Sequence, residues 1–228
     1  MISTIETNLQ RVQSQIARAA EAVGRDPASV TLIAVSKTMP AAAVATAYAA
    51  GVRHFGENRL QEAQSKIHEL LLPDLQWEMI GNLQRNKVAQ AVSLFGRIHS
   101  VESLALAQEI ERVAAQRDQI VPVLVQVNVA GEATKHGVTM TDALALAQAI
   151  AEMPHVRGAG LMTVAPIAAD PATLRPIFRQ LRLLRDQLRT TIGPTWQELS
   201  MGMTDDFAAA IAEGATVVRI GRAIFGER

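Results

Sequence analysis

The hydrophobic pattern changes its period repeatedly along the chain. Short runs rich in β-branched apolar residues, the mark of strands buried on both faces, alternate with longer stretches whose apolar positions recur every three to four residues. The first stretch is helical: Ile5, Leu9, Val12, Ile16 and Val23 mark one face that stops near Gly24, and Ser3 with Glu6 has capping-box spacing. From there the pattern predicts strands over Val30 to Ser36, Val52 to Gly56, Gln76 to Gly81, Arg97 to Val101, Val121 to Val129, Val156 to Val164, Glu198 to Met203 and Thr216 to Phe225. Between them it predicts helices over Pro40 to Ala50, Asn58 to Leu71, Gln84 to Leu94, Ser103 to Arg117, Thr141 to Met153, Pro171 to Thr191 and Asp205 to Glu213.

Alternating strands and helices imply parallel strands joined by right-handed crossovers. Eight such strands with no Pro/Ser/Gly-rich linker between them favour an α/β fold of one domain over 1–228, a closed (β/α)8 TIM barrel carrying an extra N-terminal helix, over a doubly wound open sheet. In such barrels ligands bind at the carboxyl ends of the strands. The chemistry is therefore sought there.

At the end of the first strand stands Lys37, in "TLIAVSKTMP". Only four of the 22 basic residues are lysine, Lys37, Lys66, Lys87 and Lys135; elsewhere the chain uses arginine. An ammonium can shed its proton when desolvated and attack a carbonyl, which a guanidinium cannot do. The alternative reading is a side chain that merely snorkels its head out of the strand end. Lys135, in the polar loop "AGEATKHG", is the candidate for a second reactive site.

The last two strands supply a second cue. "ELSMGMTDDF" leads from strand to helix through Ser200, Gly202 and Thr204, and "TVVRIGRAIFG" places Arg219, Gly221 and Arg222 on or just after the final strand. Barrels often bind phosphate in the loops after strands seven and eight, where glycine lets the backbone approach and helix starts offer N–H groups. An amine nucleophile facing a phosphate grip suits a phosphorylated carbonyl compound held as a Schiff base. Two classes satisfy this, pyridoxal 5′-phosphate as cofactor and a sugar phosphate as the substrate of a class I aldolase.

Composition narrows the setting. Acidic and basic residues balance at 22 each, so no net field attracts nucleic acid or an anionic membrane. The absence of cysteine excludes disulfides, thiol catalysis and Cys-ligated metals, and fits a reducing compartment. No segment resembles an export signal or a membrane span, and a soluble cytoplasmic protein is the expectation. "GAGLMT" has Thr163 where a dinucleotide fingerprint needs glycine, and "ELSMG" lacks the first glycine of a nucleophile elbow. His54, His68, His99, His136 and His155 lack metal-ligand spacing and read as surface or core residues, and no metal site is expected. Arg175, Arg179, Arg182 and Arg189 form a helical stripe that reads as a solvated outer face.

"AVSKT", "FGENRLQEAQSK", "WEMIGNLQRNK", "HSVES", "VLVQVN", "GLMT" and "LSMGMTDDFAAAIAEGATVVRIGRAIFG" together resemble the pyridoxal phosphate homeostasis proteins (YggS/PROSC) over essentially the whole chain. The resemblance implies a barrel like the N-terminal domain of alanine racemase, of the fold-type III class, with pyridoxal 5′-phosphate on Lys37. It also implies Ser200, Gly221 and Arg222 near the phosphate, Arg219 at the pyridine nitrogen and Asn58 beside the ring. A guanidinium there opposes ring protonation and weakens the electron sink that most pyridoxal enzymes use. Racemisation needs a second acid/base, which a tyrosine supplies in alanine racemases; the only tyrosine here, Tyr48, lies in the helix after strand one. Because the eighth strand finishes close to Arg228, no second domain is expected to cover the site. Three readings remain: a non-catalytic, monomeric pyridoxal phosphate binder that buffers the cofactor or delivers it to apoenzymes, an amino-acid racemase or related enzyme, and a class I aldolase.

Overall fold

The computed structural model describes residues 4–132, 135–166 and 170–226. Its strands are β1 (Thr31–Val35), β2 (His54–Glu57), β3 (Gln76–Met79), β4 (Arg97–Val101), β5 (Val121–Gln126), β6 (Val156–Met162), β7 (Glu198–Ser200) and β8 (Val217–Ile220). All eight pair in parallel and in chain order, and β8 returns to β1 through Thr31↔Val217 and Ala34↔Ile220, closing the barrel. The helices are α1 (Thr4–Glu21), α2 (Ala41–Ala49), α3 (Leu60–Glu69), α4 (Val88–Leu94), α5 (Leu104–Gln116), α6 (Met140–Ala151), α7 (Pro171–Thr191), α8 (Phe207–Ala212) and α9 (Arg222–Phe225).

Helix α1 buries Leu9, Val12, Ile16 and Ala20, and Asn8 donates to the carbonyl of Ile224 at 3.1 Å, tying the extra helix to the end of the chain. Val23 departs from the expected face. It lies past the helix end and is 42 % exposed, because the chain turns through Gly24 at φ 68°. Ser3, the expected cap, lies outside the described residues. Ser103 and Thr139 do cap α5 and α6, accepting from the N–H groups of Leu106 and Asp142 at 3.2 and 3.1 Å.

Six of the strands stop short of their apolar runs at the carboxyl end, while β4 ends where expected and β2 runs one residue further, and the largest difference is in β8. The expected strand from Thr216 to Phe225 ends at Ile220, and Arg222–Phe225 winds into α9 instead. Gly221 turns to helical dihedrals, and its carbonyl accepts the N–H groups of Ile224 and Phe225, both at 2.9 Å. In β5 the ladder stops at Gln126, and Val127, whose N–H still donates to the Met162 carbonyl at 2.8 Å, forms an isolated bridge to Val138. Helix α3 starts two residues later than expected, leaving Asn58 in a bend and Arg59 extended. An apolar run reports burial, and Ser36, Val127, Thr163 and Met201 stay buried just past the ends of their strands.

Contacts between strands that are not neighbours show what fills the barrel. Arg97 on β4 pairs with Glu198 on β7, and the same two strands meet again through His99 Nδ1 and Ser200 Oγ at 2.9 Å. Both contacts must cross the interior. Most barrels fill this space with branched aliphatic side chains, whereas here a polar axis runs through it. Glu78 on β3 accepts from His54 Nδ1 at 2.7 Å, His99 Nε2 at 2.6 Å and Arg97 at 2.8 Å. Burial opposes the ionisation of Glu78, but the two histidines and Arg97 outweigh it and hold its carboxyl well below the usual carboxylate range. His99 is completely buried, and that burial lowers its imidazole from 6.5 despite the hydrogen bond to Glu78. It is thus neutral at pH 7, donating through Nε2–H to Glu78 and accepting the Ser200 proton at Nδ1.

The arginine stripe on α7 is not simply solvated. Arg175, Arg179 and Arg182 converge on Glu213 after α8 at 3.2, 3.0 and 3.5 Å. Burial pushes the Glu213 carboxyl up, but Arg179 and Arg175 overcome it and hold it below its ordinary value. The stripe staples α7 to α8.

Two outcomes follow. Gly160 on β6 lies so close to β7 that a Cβ would stand 2.0 Å from the Glu198 carbonyl oxygen. Gly160→Ala is expected to destabilise the fold by about 1–3 kcal/mol, read as a lower urea midpoint, because backbone must shift to admit the methyl. The buried neutral His99 makes the second. Its folded pKa lies below that of the unfolded chain, so as pH falls through about 6.5 and below, the unfolded state takes up a proton more readily than the folded state. Stability is therefore lost in that window, by at most about 1.4 kcal/mol per pH unit, whereas Glu78, whose folded value is depressed, acts only as pH falls below about 4.5. Urea midpoints should fall more steeply over this range in the wild type than in His99→Gln.

Candidate ligand site at the barrel mouth

Four consecutive strands, β7, β8, β1 and β2, carry the residues singled out from the sequence. Val35 pairs with Gly56, which sets Lys37 and Asn58 at the same level on neighbouring strands, two residues beyond that pair. Lys37 is half-buried and follows the buried Ser36, whose N–H bonds the Gly56 carbonyl at 3.1 Å. Among the other lysines, Lys66 is buried and ion-paired to Glu57 and Glu62, Lys135 is paired to Glu132 at 2.8 Å, and Lys87 ends an exposed turn before α4. Lys37 is the lysine at the carboxyl end of a barrel strand.

Asn58 is held by a close approach. A Cβ on Gly81 would meet the Asn58 carbonyl oxygen at 2.4 Å, so only glycine lets the loop after β3 pack on the Asn58 backbone. Asn58 also lines a cavity of about 380 Å³ shared with Arg59, Gln61, Asn82 and Lys87.

On β8, Arg219 is buried and fixed from two sides. Its Nη1 donates to the Ser200 carbonyl and hydroxyl oxygens, both at 2.7 Å, and its Nη2 donates to the Thr163 carbonyl at 2.9 Å. These three bonds account for three of the five guanidinium N–H donors. Burial pushes the guanidinium down to about 10, with Asp206 acting in the opposite direction. It is still a cation at neutral pH.

Ser200 is placed differently from Gly221 and Arg222. Its side chain is completely buried, and its hydroxyl already accepts from Arg219 and pairs with His99. It braces Arg219 from below. The loops after β7 and β8 lie above it: Gly202 at φ 94° turns the first, Asp206 Oδ1 accepts the Met203 N–H, and Arg222 pairs with Asp205 across the two loops. The N–H groups at the start of α9 have no partners within that helix, which gives the Gly221 turn backbone donors at the mouth. Tyr48 lies at the far end, its hydroxyl donating to the Pro73 carbonyl at 2.8 Å just before β3 begins. Among the described residues no cluster of three or more His, Asp or Glu could hold a metal ion, and no helix is long and apolar enough to cross a membrane.

Sequence reasoning passed over His99, Glu78 and Lys66. A signal for the first two was present, since a charged or ionisable residue inside a four- or five-residue buried strand needs a partner. The signal for Lys66 was its rarity as a lysine, but nothing in the helical pattern of α3 says that it faces the barrel.

A lysine amine, a fixed guanidinium and two glycine-containing turns on adjacent strands form a rim suited to a small anionic carbonyl compound. The chemistry of these residues would fit pyridoxal phosphate: Lys37 would take the aldehyde, the Arg219 guanidinium would face a ring nitrogen and the Gly221 turn would receive phosphate oxygens. Known proteins point the same way. The family described as alanine racemase, N-terminal domain, matches residues 7–228. A pyridoxal phosphate homeostasis protein of Pseudomonas aeruginosa is 47 % identical over 230 residues, covering 100 % of this chain and 97 % of that one. PipY of Synechococcus elongatus, solved with PLP bound, superposes with a TM-score of 0.86 at 40 % identity, covering 97 % of this chain and all of that one. Alanine racemase of Corynebacterium glutamicum shares the fold, with a TM-score of 0.70 at 17 % identity over 96 % of this chain and 62 % of its own length. With relatives at this identity over essentially the full length, the chain belongs to the pyridoxal phosphate homeostasis protein family.

Proposed function

We propose that this chain binds pyridoxal 5′-phosphate covalently through Lys37 and serves as a cytoplasmic buffer or carrier of the cofactor, without turning over amino acids. The observation that carries this reading is Arg219, a buried cation locked by Ser200 and Thr163 at the end of β8, next to the strand that bears Lys37. When bound, pyridoxal phosphate supplies an aldehyde that an amine can capture and a ring that can withdraw electrons once its nitrogen is protonated. A permanent guanidinium facing that nitrogen donates a hydrogen bond and disfavours the proton. The ring is then held without being activated.

The other residues agree. Tyr48, the single tyrosine, is engaged with Pro73 at the amino ends of the strands and cannot serve as an acid/base at the mouth. Ser200 and His99 keep the guanidinium in place by accepting and relaying its hydrogen bonds, and Gly221 lets backbone N–H groups approach the phosphate. Asn58, level with Lys37, flanks the ring, and Arg222 with Asp205 closes the two phosphate loops against each other. A site in one barrel, open to water at its mouth, suits capture and release better than electrostatic catalysis. An incoming amine, free or on an apoenzyme, can displace Lys37 and leave with the cofactor. A monomer suffices for this.

Lys37→Ala should abolish both the visible absorbance of the purified protein and the borohydride-reducible adduct. Wild-type labelling retained in that variant would remove the assignment. Pyridoxal lacking its phosphate should bind much more weakly than the phosphorylated form, and Gly221→Val should release the phosphorylated form more readily. Mixed with a pyridoxal-dependent apoenzyme, the loaded protein should restore that enzyme's activity. Turnover of any amino acid well above the rate of free pyridoxal phosphate would instead establish the racemase reading.

A further inference from the structure

Lys66 is the lysine that the proposed function leaves unexplained. It is buried at 5 % exposure on α3, and its ammonium has three acceptors: the Ser36 carbonyl at 2.7 Å, Glu57 Oε1 at 2.7 Å and Glu62 Oε1 at 2.8 Å. Three donors meet three acceptors. The same two carboxylates grip the residues on both sides of Lys37. The Ser36 hydroxyl donates to Glu57 Oε1 at 2.6 Å, and the Thr38 N–H donates to Glu62 Oε1.

What is held there is strained. Thr38 has φ 66°, in the left-handed region, where a β-branched side chain is a real outlier. Such strain persists only when the surroundings over-determine it, and it gathers at functional sites. The cluster is itself costly to bury: Glu57 is completely buried, its Oε2 has no hydrogen-bond partner among the described residues, and burial pushes its carboxyl up. An ion pair serving only to fasten α3 to the barrel could lie anywhere along that helix. This one closes on the peptide units before and after Lys37.

We propose that Lys66, Glu57 and Glu62 form a positioning cluster that holds Ser36 to Thr38 in a strained turn and so presents the Lys37 amine to an aldehyde at the barrel mouth. The inference rests on the pyridoxal phosphate reading of Lys37. Lys66 orders both carboxylates, Glu62 fixes the Thr38 N–H, and the left-handed turn aims the residue before it. The cluster acts on the lysine through the backbone and does not touch the ligand.

The test uses the full chain and pyridoxal phosphate as probe, reading the rate of the borohydride-trapped adduct on Lys37 by mass spectrometry, with thermal melting and exchange of the Thr38 amide measured without cofactor. Glu62→Ala, at a partly exposed position, should leave melting nearly unchanged, speed exchange at Thr38 and slow adduct formation about tenfold, within the cost expected for one strained residue. Thr38→Gly added to Glu62→Ala should return the rate to within about threefold of wild type, because glycine adopts positive φ without support. Glu57→Gln with Lys66→Met removes the buried charges together and should slow the adduct to a similar extent, with the same rescue by Thr38→Gly. Wild-type rates in both cluster variants, or failure of glycine to rescue either, would overturn the positioning role. A wild-type protein that forms no adduct at all would instead refute the pyridoxal phosphate reading.

Discussion

A guanidinium placed inside a barrel cannot be left to itself. Arg219 is buried to 4 % exposure, and a charge so far from water needs acceptors on several sides or it destabilises the fold. Thr163 supplies one carbonyl, Ser200 supplies a carbonyl and a hydroxyl, and Asp206 adds an opposing charge nearby. The Ser200 hydroxyl is in turn oriented by His99, His99 by Glu78, and Glu78 is compensated by Arg97, which reaches Glu198. The polar axis of the barrel is the consequence of siting one cation at its mouth.

That axis also makes the mouth rigid. Its members are tied to one another by side chains from β3, β4, β7 and β8, so moving Arg219 would leave several buried groups unpaired, each at a cost of about 1–3 kcal/mol. The reacting amine is secured separately, on the opposite side of β1, by the cluster around Lys66. One network fixes the cation and the other fixes the lysine loop. Their independence means that a substitution in one need not disturb the other.

The chemistry that results is defined by what it withholds. Catalysis on a pyridine ring draws its power from protonating the ring nitrogen, from a second proton donor and from water exclusion. In the proposed site Arg219 would oppose the first, and Tyr48 is too remote to supply the second. A site that captures an aldehyde firmly and reversibly, without activating what it holds, is what a cofactor carrier requires.

The order of eight strands and the placing of Lys37, Arg219 and Gly221 at strand ends were legible from local pattern, because strand burial and helix periodicity are properties of neighbouring residues. Family motifs supplied the roles of Ser200, Asn58 and Arg222. Strand ends were read less well: Thr216 to Phe225 looks like one apolar run, yet it divides at Gly221 into strand and helix, since burial alone does not tell a ladder from a packed turn. What local pattern could not decide was which polar side chains face inward and meet. His99 finds Ser200 across 101 residues, Arg97 finds Glu198 across the same separation, and Lys66 finds Ser36 across 30. The first two pairings exist only once β8 has closed on β1, because closure alone brings β4 opposite β7, whereas the third needs α3 packed back against the end of β1 beside β2.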